Sequence, residues 1–65
     1  MQEKMCKHLC HLIACYNELE TEEWYHYYMG YLLAMKDVGI TVEIIRNEFV
    51  YCNGTVYRVE DYKDA

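Results

Sequence analysis

The sequence predicts an α+β fold, a two-helix hairpin followed by a small antiparallel β-meander, in the order ααβββ. Three observations carry that reading. Apolar side chains recur at steps of three and four over residues 1–38, and β-branched and aromatic runs replace that spacing from residue 39 to residue 60. Between two of those runs lies Asn53-Gly54, the dipeptide best suited to a type I′ hairpin turn, which needs positive φ at both central positions.

Taken in chain order, the first helix is expected from Glu3 to Tyr16, where Met5, Leu9, Leu12, Ile13 and Tyr16 stack along one side. Asn17 to Glu20 read as a short connection. Thr21 is the expected N-cap of a second helix, and Glu22 and Glu23 put negative charge where unpaired N–H groups favour it. That helix is expected over Glu22 to Val38, with Gly39 as the left-handed residue that ends it. Trp24, Tyr27, Tyr28, Tyr31, Met35 and Val38 make its core-facing stripe, while Tyr25, Met29 and Leu33 follow one another on nearly the opposite side. Such a helix is apolar almost all the way round.

Three strands are expected at Ile40 to Arg46, Phe49 to Cys52 and Thr55 to Glu60. Counting outward from Asn53-Gly54, Cys52 faces Thr55, Tyr51 faces Val56, Val50 faces Tyr57 and Phe49 faces Arg58. Both faces of this hairpin carry aromatic and β-branched groups, so both are expected to be covered. Asn47-Glu48 reads as either a turn or a bulge in one long strand. The polar end, residues 61–65, is expected to fray.

Sixty-five residues allow one small domain, 1–65, and such a chain buries only about 60% of its unfolded surface. Six Lys and Arg against 11 Asp and Glu give a net charge of -5, which argues against direct binding to a nucleic-acid backbone. A hydrophobic share of 54% is too high for a disordered acidic tail. No apolar run is long enough to span a bilayer. Leu9 to Cys15 superficially suits an export signal, but Lys7, His8 and His11 fall inside the uninterrupted apolar core such a signal needs, so a cytoplasmic location without membrane attachment is expected. Cys6, Cys10, Cys15 and Cys52 are then expected as reduced thiols, whereas export would allow three pairings. Asn53-Gly54-Thr55 is a glycosylation sequon better explained as a turn.

Metal-type side chains gather at Cys6, His8, Cys10, His11 and Cys15, with only His26 and Cys52 to complete a shell from elsewhere. The spacing lacks a closely paired cysteine loop, and no metal or cofactor is expected. His11 and Cys15 are spaced as a base and a thiol, yet Cys15 lies near a helix C-terminus and no third group is evident to orient the imidazole. No enzymatic activity is expected. More informative is the charge: no Lys or Arg falls between His8 and Met35, while Glu18, Glu20, Glu22 and Glu23 crowd the junction of the helices. Such a corner suits a basic protein surface. Eight Tyr in a chain this short suggest an interface, and Tyr25, Met29 and Leu33 form a strip that a second chain, a copy or another protein, is expected to cover.

In size, acidity, aromatic richness and helix-plus-hairpin layout the whole chain resembles the small inhibitors that phages and mobile elements make against host defence, the anti-CRISPR and anti-restriction proteins. No family motif is matched and no functional residue is transferred. The resemblance implies an inhibitor whose acidic cluster stands in for phosphates on the basic channel of a partner such as a CRISPR effector. The other reading is a structural or assembly subunit acting as a homodimer. A winged-helix nucleic-acid binder would need basic residues on the second helix, where Lys36 stands alone.

Overall fold

Helix α1 spans Gln2–Leu19 and α2 spans Glu22–Asp37 in the computed structural model, which describes residues 2–64. The chain then forms β1 (Val42–Ile45), β2 (Phe49–Cys52), β3 (Thr55–Arg58) and a closing 3-10 turn at Val59–Tyr62. The three strands are antiparallel in the order β1-β2-β3, so the architecture is the α+β arrangement read from the sequence.

Helix α1 runs three residues further than its apolar periodicity suggests. Glu20 ends it by taking a left-handed conformation, φ 49°, with its N–H donating to the Tyr16 carbonyl. A residue with a Cβ is strained there, and without a glycine to mark the stop the sequence gives no sign of it. Thr21 caps α2 as expected, its hydroxyl accepting from the Trp24 N–H at 3.3 Å. At the far end Gly39, φ 86°, closes a Schellman motif: its N–H donates to the Lys36 carbonyl and that of Ile40 to Met35. Ile40 and Met35 are both buried, which supplies the apolar contact that accompanies such an ending.

The hairpin registers are those counted from the sequence, with Cys52 opposite Thr55 and Phe49 opposite Arg58. Asn47-Glu48 belongs to a turn. Arg46 and Asn47 both have positive φ, and the Glu48 N–H returns to the Ile45 carbonyl. Asn53 does more than turn the chain, because its side-chain oxygen accepts from the Thr41 N–H and its own N–H donates to the Thr41 carbonyl. That pair fixes the chain just before β1.

The core forms around α1, whose Cys6, Leu9, Cys10, Ile13 and Ala14 are buried. The helix packs against α2, the 3-10 turn, β2 and β3, and α2 reaches the sheet at β1. Val42, Val50 and Cys52 point inward from the sheet, and Val59 seals one side.

Four expectations are corrected. First, α2 buries the arc of Tyr28, Leu32 and Met35, rotated by about 50° from the expected stripe at 100° per residue, so Tyr27 and Val38 are exposed. Second, Cys6 and Cys52 are joined in a disulfide, with 6.2 Å between their Cα atoms, and only Cys10 and Cys15 are free thiols. Third, the outer face of the sheet is open: Ile45, Phe49, Tyr51 and Val56 are exposed there. Fourth, the third strand stops at Arg58, and Asp61 and Tyr62 belong to the 3-10 turn instead of a frayed end. The sequence pattern could not separate that last turn from a strand, because one buried Val59 suits either.

Candidate functional site

The junction between α1 and α2 is two residues long, so Glu18, Glu20, Glu22 and Glu23 are brought together within one tight corner, and all four are exposed. None forms an ion pair among the described residues. Lys63 shares a shallow cleft of about 290 Å³ with Ala14, Asn17, Glu18 and Glu60, and its ammonium is engaged by Glu60 at 3.2 Å.

The four carboxylates differ in what their helices ask of them. Glu22 and Glu23 stand in the first turn of α2, where negative charge stabilises the helix. Glu18 and Glu20 stand at the end of α1, where the carbonyls already carry partial negative charge, and α1 has no basic residue in its last turn. Helix stability therefore explains half of the cluster and opposes the other half.

Glu22 heads the row along α2 in which Tyr25, Met29 and Leu33 follow at steps of three and four. Leu33 is 57% exposed and Tyr25 41%, whereas Met29 is half-buried against the core. The row is thus open at both ends and partly sheltered in the middle. Tyr25 packs edge-on against Tyr28 (5.4 Å between ring centres) and at a tilt against Tyr16 (5.9 Å). Leu19, between Glu18 and Glu20 in the chain, is also exposed. Of the eight tyrosines, Tyr25, Tyr27 and Tyr51 are exposed, Tyr28 is buried, and Tyr16, Tyr31, Tyr57 and Tyr62 are partly buried against the core.

The candidate metal ligands do not assemble. Cys6 is consumed by the disulfide, Cys10 is fully buried, and no group of three or more His, Cys, Asp or Glu among the described residues could hold an ion. His11 and Cys15 do meet, however, and the third group that the sequence did not reveal is a backbone carbonyl. His11 Nδ1 lies 2.9 Å from the Tyr62 carbonyl; a carbonyl only accepts, so Nδ1 carries the proton and Nε2 is left to accept from the Cys15 thiol at 3.7 Å. Burial, and after it the Glu18 carboxylate, push the Cys15 thiol above its ordinary range, so it stays protonated at neutral pH. Here the imidazole fastens the chain end to α1. Nothing in the sequence spacing of residues 11 and 62 announces that contact.

The surface that sequence reasoning missed is the outer side of the sheet. Glu43, Ile45, Phe49, Tyr51, Val56 and Arg58 share the face opposite to the buried Val42, Val50 and Cys52, and because apolar residues occupy both faces, no alternation in the sequence marks which one is outward. Among the described residues, no helix is long and apolar enough to cross a membrane. No protein-family model, no curated protein and no solved structure matches the chain.

Proposed function

We propose that this protein is a non-enzymatic interaction module, a small acidic inhibitor that occupies a basic, nucleic-acid-binding surface of a partner protein such as a CRISPR effector. The observation that supports the reading most is the pair Glu18 and Glu20: exposed, without ion pairs among the described residues, and placed where the end of α1 disfavours them. Charge kept against local stability points to a use outside the fold. Four carboxylates in one corner approximate a short run of phosphates, and Tyr25 and Leu33 beside them supply apolar contact that would anchor the complex once charge has steered it.

The experiment compares the native chain with a variant carrying Glu18→Lys, Glu20→Lys, Glu22→Lys and Glu23→Lys as baits in host lysate. The expected result is a nucleic-acid-binding protein retained by the native chain, lost with the variant, and displaced from the native chain by duplex DNA or RNA. Circular dichroism should show the variant folded. Retention by both baits, or a retained protein indifferent to nucleic acid, rejects the reading.

The second reading, an assembly subunit whose association is its purpose, is favoured by the open apolar face of the sheet. A cytoplasmic location belongs to the inhibitor reading, and the Cys6–Cys52 bridge pulls the other way, because such bonds persist in oxidising compartments. Counting free thiols in protein taken directly from its host, quenched with acid, decides between four and two.

A further inference from the structure

Antiparallel sheets packed on one side usually alternate apolar residues inward and polar residues outward. This sheet does not. Its registers place Glu43, Tyr51 and Val56 in one row across the outer face, and Ile45, Phe49 and Arg58 in the next. Four of those six side chains are apolar or aromatic, and all four are exposed, Val56 at 59%. A contiguous apolar patch rimmed by charge marks a protein contact.

The charges say which protein. Glu43 sits on β1 in the first row and Arg58 on β3 in the second, so they occupy diagonally opposite corners of the patch. A second copy laid face to face, with its two-fold axis in the plane of contact and across that diagonal, sets each Glu43 over the other copy's Arg58. An isologous contact needs such self-complementarity. The two chains would form both ion pairs at once, with Ile45, Phe49, Tyr51 and Val56 enclosed between them. Both charged groups are free to engage: Glu43 has no ion pair among the described residues, and Arg58 holds Asp61 only loosely, at 3.7 Å with both side chains more than half exposed.

We infer that the outer face of the sheet is a self-association surface, on which Glu43 of one copy pairs with Arg58 of the other around an apolar centre. This moves the expected homodimer from the Tyr25, Met29 and Leu33 strip to the sheet. It does not depend on the acidic corner having a partner.

The test is sedimentation equilibrium of the untagged, oxidised chain over a range of micromolar concentrations. The native chain should approach twice its 7.9 kDa mass. Val56→Lys, on an exposed strand position, should leave a monomer. Because every substitution acts twice in a two-fold contact, Glu43→Lys alone or Arg58→Glu alone should weaken association by about tenfold or more, through like charges set face to face. Combining the two restores the complement and should bring association back towards the native value. Leu33→Lys should change nothing. A native monomer throughout, a dimer lost with Leu33→Lys but kept with Val56→Lys, or a double charge swap no better than the single ones overturns the inference.

Discussion

The two helices of this small protein are built from similar apolar content and are used in opposite ways. Helix α1 is committed to the fold: five of its residues are buried, a disulfide ties it to β2, and Asn17 and His11 reach the β1–β2 turn and the chain end through hydrogen bonds. Helix α2 buries three residues and leaves Tyr25, Tyr27 and Leu33 in solvent. The difference teaches that apolar content alone does not locate a core. The element fastened from several directions becomes the spine, and the element fastened from one is left with surface to offer.

The largest expected effect lies in α1. Reducing the Cys6–Cys52 bond releases a loop closed over 46 residues, which the chain-entropy model values at about 4 kcal/mol. Chemical denaturation with and without reductant measures it, and a loss below about 1 kcal/mol would mean that packing, not the bridge, holds α1 to the sheet. Next come matched truncations. Leu9→Ala, at a fully buried position of α1, should cost about 3 kcal/mol, against less than about 0.5 kcal/mol for Leu33→Ala on α2. Equal losses from the two would erase the contrast between the helices.

Cys10 gives a pH test of the spine. Burial pushes its thiol up to about 11, so the folded chain holds that proton where an unfolded chain has released it. A raised pKa of this kind leaves stability flat below about pH 9 and lowers it between about 9 and 11, by about 2–3 kcal/mol at most. The slope should flatten in Cys10→Ala, and a native curve that rises with pH in that window contradicts the burial. A smaller effect is expected at the start of α2. Thr21→Ala removes the cap on the Trp24 N–H and should cost about 1 kcal/mol by thermal unfolding.

Much of the fold was legible because local chemistry names its own conformation. Thr21, Gly39 and Asn53-Gly54 each mark a cap or turn that few other residues satisfy, and the β2–β3 register follows from the last of them by counting. What was not legible depends on distance. The end of α1 falls on a strained glutamate, the rotation of α2 is decided by the α1 surface it meets, and the Cys6–Cys52 and His11–Tyr62 contacts join residues far apart in the chain. The acidic corner could be read directly, since Glu18 to Glu23 are neighbours in sequence. The sheet patch could not, because which parity faces outward is known only when a helix covers the other.

The claim that exposed carboxylates at the helical junction bind a basic partner is tested most directly by the salt dependence of that complex. Between roughly 50 and 300 mM salt the dissociation constant of the native chain should weaken by about tenfold or more, with no measurable binding by the four-lysine variant. A constant that stays within about twofold across that range, and survives the reversal of all four charges, contradicts the account.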